Sequence, residues 1–472
     1  MVKQSVKKRL TQILCIVLAA LMIVGIIVIV LSGCSPDKVE DPTGSVNTTQ
    51  NTTAAAPQDF PVLRDGSAIC RIERQDVASD GLIAAAVAIR RGVESAGGVL
   101  PDIVDDFLMP GEVVDPDAYE ILVGATNRPE SSAVTAEFTN YASFSVSVVG
   151  HKIVVLASDD SGYASAAEWL CDRFYTYVDR KAGTLILPAG LSFSGATNNM
   201  LSTLPLYATR GRVEALWDCG DDCRMYIIKN TATSEYSEYA ASLTGAGYEK
   251  YAENKIGDNL YATYTSPGGK YVLNTVYTAY EKKTRLIIEP LSKTELPVVE
   301  TDDTSGGSPV TVTQVGLEYL YDTGKTIADF QIGMLYIIRL RDGRFIIVDG
   351  GYRRQKNLEL FMDQLKKQAP DPQNIKIAAW ILTHSHGDHV GLLSQVANTP
   401  SALKCLSVER FIYNFPSVGQ YKKMEESYPG GVYSSIKMFR GAKTVKAHPG
   451  QRFVIGGAEI EYYSTVELVA PA

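Results

Sequence analysis

The spacing of apolar residues changes along this chain, and each change marks an element. Ile377-Ala378-Ala379-Trp380-Ile381-Leu382 is an unbroken apolar run, the pattern of a buried strand. Thr383 ends it, and Val390-Gly391-Leu392-Leu393 opens a helix. Upstream, two apolar stretches, 334–340 and 345–348, flank Arg341-Asp342-Gly343 and predict a hairpin with Asp-Gly at its turn. Nearer the front, a strand at 68–73 precedes Ala78-Ser79-Asp80, a capping signal for a helix to about residue 96. A strand at 119–124, a helix at 129–138 and a hairpin (144–149 with 152–156, turning at Gly150-His151) follow. His151 then sits at a hairpin tip without the partners a general base needs. A helix at 161–178 aligns Ala166, Trp169, Leu170 and Phe174 on one core-facing stripe. Between 201 and 297 the pattern gives strands at 224–228, 260–265, 271–279 and 284–289 and a helix at 234–246. Its many tyrosines, Tyr236, Tyr239, Tyr248, Tyr251, Tyr261, Tyr264, Tyr271, Tyr277 and Tyr280 among them, suit half-buried packing better than a sugar-stacking surface.

Punctuation between these stretches sets the expected organisation. Residues 1–34 are an export segment, 35–60 a polar tether rich in Asn, Thr and Ala, 61–199 an α/β accessory domain, and 200–298 an α+β accessory domain. An acidic and Gly/Ser linker, 299–310, leads into a last domain, 311–472. The expected fold class is therefore multidomain, α/β and α+β. No internal repeats are visible.

Composition narrows the picture only a little. A length of 472 residues with 45% hydrophobic and 21% charged residues fits several globular domains. A net charge of −8 argues against non-specific nucleic-acid binding. The N-terminus says more: Lys3, Lys7, Lys8 and Arg9 precede an apolar segment from 13 to 31, as in an export signal. Leu31-Ser32-Gly33-Cys34 resembles the bacterial lipobox, which implies cleavage before Cys34 and its lipidation. The segment is nearly long enough to span a bilayer, so an uncleaved anchor is the alternative. Either places the chain on the bacterial cell surface, tethered to the membrane. Of the seven cysteines, Cys70, Cys171 and Cys405 read as small core residues. Cys219 and Cys223 can form a disulfide or stand as two free thiols, and their spacing matches no zinc pattern.

The chemistry concentrates in His384-Ser385-His386-Gly387-Asp388-His389, which holds three of the five histidines. Imidazoles at i and i+2 on extended backbone project to one side and can grip one metal. The following Asp-His pair can hold a second, with Gly387 allowing a tight fold between the pairs. Nitrogen and oxygen donors suit zinc, manganese or iron.

These residues resemble the metallo-β-lactamase superfamily, whose signature is His-x-His-x-Asp-His at a strand-to-helix junction; Asp349-Gly350-Gly351 after the hairpin resembles the family's supporting aspartate. The resemblance implies an αββα sandwich, partial over 311–472, and two divalent metal ions, Zn2+ before Mn2+ or Fe. His384 and His386 would hold the first, and Asp388 and His389 the second, with Asp349 orienting ligands. Asp388 and Asp349 are the catalytic carboxylates it implies. The reaction implied is hydrolysis by a metal-activated hydroxide, with a phosphodiester of extracellular DNA or wall polymer as first substrate. The family supplies further ligands downstream, where this chain has only His448, in a Lys446-Ala447-His448-Pro449-Gly450 turn. A fragment lacking those ligands or a degenerate member explains this, and the complete first half favours the fragment. Glu120 to Glu130 resembles small domains preceding the catalytic barrels of bacterial α-glucuronidases and hexosaminidases, hinting at a glycan of the cell wall as partner. The rival expectation is a surface glycan-binding or scaffold lipoprotein with an inactive metal domain.

Overall fold

The structure is a computed structural model that describes residues 58–197, 199–207, 213–300, 307, 309–317, 333–417 and 430–469. The export segment, Cys34 and nearly all of the tether lie outside the described residues. Among the described residues, no helix is long and apolar enough to cross a membrane.

The first domain is built on six strands in the order Ser192–Ala196, Ser143–Val149, Lys152–Ala157, Glu120–Val123, Arg71–Arg74 and Ile103–Asp105. Helices Asp80–Gly97 and Asp160–Tyr177 lie together against it and share its core. Ser79 caps the first, accepting from Leu82 N at 3.3 Å, as the sequence signal required. The predicted helix at 129–138 is only one turn, Pro129–Ala133. Within the stretch likened to glycosidase domains, Glu120 is buried and ion-paired with Arg71 at 2.6 Å, Arg128 at 3.1 Å and Lys152 at 3.1 Å. Those three cations hold its carboxyl down to about 2 against the cost of burial. The stretch is a structural ion cluster. His151 rests on the Tyr119 ring at 4.7 Å.

The second domain is an antiparallel sheet in the order Val213–Gly220, Cys223–Lys229, Lys283–Pro290, Tyr271–Thr278, Asn259–Thr265 and Glu249–Ile256, with helix Thr233–Gly245. Two of these strands were not anticipated. Glu249–Ile256 is an almost fully exposed edge with no apolar face to read. Of the tyrosines, Tyr236, Tyr239, Tyr248, Tyr261, Tyr264 and Tyr277 are buried, as packing predicts, whereas Tyr280 is 81% exposed.

In the third domain a mixed sheet runs Thr311–Gln314, Leu335–Arg339, Phe345–Asp349, Ile375–Leu382, Arg410–Tyr413 and Lys443–Lys446, with Leu406–Val408 paired beside it. The four strands from Phe345–Asp349 to Lys443–Lys446 are mutually parallel, so their carboxyl ends share one edge. Helices Gln355–Gln368, Gly387–Ala397 and Gly430–Ile436 cover one face. The small hairpin Arg452–Ile455 with Ala458–Glu461 covers the other. The described part thus holds a seven-stranded sheet with helices on one face and a two-stranded sheet on the other. A four-residue helix, Val466–Val469, follows the hairpin.

The central strand explains the unbroken apolar run. Ile375, Ile377, Trp380 and Leu382 enter the helical core, while Ala378, Ala379 and Ile381 enter the hairpin core. Parity switches at a register shift opposite Phe345 and Ile346, so both faces are apolar and no alternation shows. Glu300, assigned by composition to the linker, is instead fixed: it pairs with Arg344 and Arg410, each at 2.9 Å, and Val299 bridges to Val454. Its acidic character reflects two guanidinium partners that sequence cannot place beside it.

Trp380 is fully buried between Phe361, Phe411 and Phe439, with ring centroids 5.5, 6.0 and 6.2 Å away. Trp380→Ala is expected to cost about 3–5 kcal/mol. Urea unfolding followed through the third domain measures this; a change below about 1 kcal/mol would contradict the packing described.

Candidate metal centre

Asp349 ends its strand with φ +59°, a left-handed backbone rare for a non-glycine residue, and its side chain is fully buried. Two things hold it there. Trp380 Nε1 donates to its carbonyl at 3.0 Å, and its carboxylate receives Thr383 N and Thr383 Oγ1 from the neighbouring strand end, each at 2.8 Å. His389 Nδ1 supplies a third bond, at 2.8 Å.

This network fixes two imidazole tautomers. A carboxylate only accepts, so the Thr383 hydroxyl spends its proton on Asp349 and accepts from His384 Nδ1, 3.0 Å away. His389 likewise carries its proton on Nδ1. Each ring, when neutral, therefore keeps its lone pair on Nε2, the state a metal ligand requires. The electrostatics differ between them. Burial pushes the His384 pKa down, helped by the neighbouring His389 and His386 rings. The Asp349 hydrogen bond pushes His389 up against burial.

The motif lies across the strand-helix junction. His386 is the residue before helix Gly387–Ala397, and its carbonyl accepts from His389 N and Val390 N at 2.9 and 3.0 Å. Asp388 occupies the first turn, where the helix amides favour its negative charge. Ring centroids of His384 lie 4.7 Å from His386 and 3.9 Å from His389, and His389 Nε2 is 3.7 Å from Asp388 Oδ2. The structure thus brings His384, His386, Asp388 and His389 together above Asp349. Neutral imidazole nitrogens beside a carboxylate fit a divalent cation by donor type. Their ligand atoms are not drawn into one tight group among the described residues.

Gly387 does not play the part expected of it. Its φ is not positive, and a Cβ there would make only ordinary contact with Tyr352 at 3.8 Å. The constrained glycine is Gly391, one turn on. A Cβ there would lie 2.3 Å from Arg353 N and 2.8 Å from Gly351 O. It lets the helix press its backbone against the Asp349-Gly350-Gly351 turn, where Leu392 N donates to Gly351 O at 3.0 Å. An apolar helix start shows a glycine but not what crosses it, which is why sequence reasoning passed over Gly391.

His448 is not part of this group. It is fully buried, with Nε2 2.8 Å from Glu289 and Nδ1 3.1 Å from Glu467. Burial alone would lower its pKa, but the two carboxylates outweigh that and raise it to about 10.

Residues 328–462 match the metallo-beta-lactamase superfamily. This segment of the third domain is similar to that superfamily. The matched segment takes in Asp349, the whole motif and the covering hairpin. No curated protein matches the chain. The superfamily is in general one of metal-dependent hydrolases, so the match supports hydrolase chemistry for this domain.

Asp349→Asn keeps the shape but presents an amide to Thr383 and His389, scrambling both tautomers. Metal affinity is expected to fall about 10–100-fold, as read by competition with a chromophoric chelator. Gly391→Ala is expected to disturb the site as severely, through backbone collision, whereas Gly387→Ala keeps metal binding within about threefold, a shift under about 0.7 kcal/mol. Equal effects of the two alanines would show that the helix is not held by this contact.

Proposed function

We propose that this chain is an exported, membrane-tethered hydrolase whose third domain cleaves a phosphodiester. The observation that carries the proposal is the buried Asp349 carboxylate, which orders His384 and His389 with Nε2 lone pairs outward at the carboxyl edge of a parallel sheet. Such edges are where open α/β sheets bind ligands. His384 and His386 would hold one divalent cation, and Asp388 and His389 a second. Bound there, the cations would lower the pKa of water and polarise the substrate's oxygen. Asp349 is a positioning residue: fully buried, it acts through His389 and Thr383. The carboxylate of Asp388, half-buried and beside His389, is the group placed to meet substrate or take a proton. Export rests on the basic and apolar start of the chain and on Cys34 after Leu31-Ser32-Gly33. The phosphodiester is our reading of the likeness of Asp349-Gly350-Gly351 and the hairpin that begins at Gly333-Met334 to the competence-protein and surface phosphodiesterase branches of the superfamily, with extracellular DNA or wall polymer as its source.

A second reading, a surface glycan-binding or scaffold lipoprotein, gains from one observation: the motif's ligand atoms stand apart more than those of a closed metal site do. The same assay separates the two. The full chain supplied with Zn2+ or Mn2+ is expected to hydrolyse bis(p-nitrophenyl) phosphate, and a chelator is expected to stop it. His384→Ala with His386→Ala should remove at least about 99% of the rate, a barrier change near 2.7 kcal/mol. A metal-loaded chain that cleaves no phosphodiester, ester or lactam sinks the hydrolase reading; a rate surviving the double substitution means the site is elsewhere.

A further inference from the structure

Outside the motif, one polar cluster is buried and joins residues distant in sequence. Strands Val213–Gly220 and Cys223–Lys229 meet at a turn in which Gly220, Asp221 and Asp222 all have positive φ, 79°, 53° and 63°. Register shifts between Asp218 and Gly220, and this bulge takes Cys219 out of strict alternation. It is thereby turned to the face of Cys223, and both side chains sit in one small buried cluster. Both are free, so the disulfide alternative is not the state seen. Arg224 pairs with Ile288, which sets Glu289 opposite Cys223 on the next strand. Onto this patch the third domain lowers His448. One oxygen, nitrogen or sulfur atom from each of Cys223, Glu289 and His448 lies within 4.8 Å of the others. Cys219, Cys223, Glu289 and His448 are each at most 3% exposed.

We propose that Cys219, Cys223, Glu289 and His448 form a closed site for a thiophilic divalent cation of the zinc class, which clamps the second domain to the third. Two sulfurs, an imidazole nitrogen and a carboxylate oxygen make a four-ligand set of structural type. A tetrahedral zinc needs its ligand atoms about 3.3–3.8 Å apart, so Cys223, Glu289 and His448 need only a small contraction, and Cys219 from the same buried cluster would supply the fourth ligand. The orientation of His448 matches this role. Glu467 holds Nδ1, as outer carboxylates do for metal-bound histidines, and Nε2 points at Glu289. Lys446 donates to Cys219 O at 2.6 Å, which brings a half-buried ammonium to the cysteine turn, where it would offset the charge of thiolates. On binding, the cation displaces the proton at His448 Nε2 and those of the thiols, which pass to solvent. The motif centre offers nitrogen and oxygen alone, so the two sites differ in donor type. The Cys219–Cys223 spacing matches no zinc pattern because the other ligands come from 66 and 225 residues beyond Cys223 (289 − 223 and 448 − 223).

Cobalt(II) titration of the metal-free full chain tests this. The expected result is a near-ultraviolet thiolate-to-cobalt charge-transfer band. It should persist in the chain carrying His384→Ala and His386→Ala and vanish in the chain carrying Cys219→Ser and Cys223→Ser. Cobalt uptake without the band, or no uptake, overturns the proposal, and so does a band that survives the serine substitutions. If the serine chain does not fold, a chain with all five other cysteines replaced (Cys15→Ser, Cys34→Ser, Cys70→Ser, Cys171→Ser and Cys405→Ser) takes its place: a retained band assigns the sulfurs to the pair, and a lost band overturns the proposal. Because the motif substitutions leave this readout intact, failure here is distinct from failure of the hydrolase reading.

Discussion

The buried carboxylate of Asp349 is the constraint on which the rest of the site depends. It carries no solvent contact and reaches no substrate, yet it receives three hydrogen bonds, two from Thr383 and one from His389. Burying an ionised carboxyl is costly unless donors surround it, and here the donors are groups that must be oriented for chemistry. One interaction thus stabilises the fold and selects the tautomers of His384 and His389. Trp380 extends the arrangement inward. Its indole packs the helical core and also holds the Asp349 carbonyl, so core packing and site geometry share a residue.

The parallel strands place two different polar groups along one edge. His384 follows the Ile375–Leu382 strand, and His448 follows Lys443–Lys446, two positions along the sheet. The first is half-buried and open to ligands. The second is sealed by the accessory domain, whose Glu289 and cysteine turn meet it directly. Further bonds tie the same two domains: Asn254 to Gly450 O at 3.0 Å, and Gln451 to Asn274 at 2.9 Å. The second domain is therefore seated on the third through specific buried polar contacts, unlike a module on a loose tether.

Legibility in the sequence followed a physical rule. Elements whose side chains face one environment were readable: the helix capped by Ser79, the hairpin across Asp342-Gly343, and the doubly buried strand before His384. The Glu249–Ile256 strand was not, because exposed edges carry no apolar signature. Glu300 read as linker because an acidic residue beside Gly and Ser looks solvated, whereas Arg344 and Arg410 reach it from 44 and 110 residues away. Gly387 drew attention through its place inside the motif, while the contact that demands a glycine falls on Gly391.

The sequence by itself determined the motif, its strand-to-helix setting and the supporting Asp349, because those depend on residues close together whose periodicity and chemistry are local. It also set the donor types, nitrogen and oxygen, on which a metal reading rests. Tertiary structure decided what local pattern cannot carry: which nitrogen of each histidine is free, since that depends on a carboxylate from another strand, and where His448 goes. A histidine in a Pro-Gly turn looks exposed until a second domain closes over it. Partner identity across long chain separations is set by packing, and packing is decided only when the whole chain has folded.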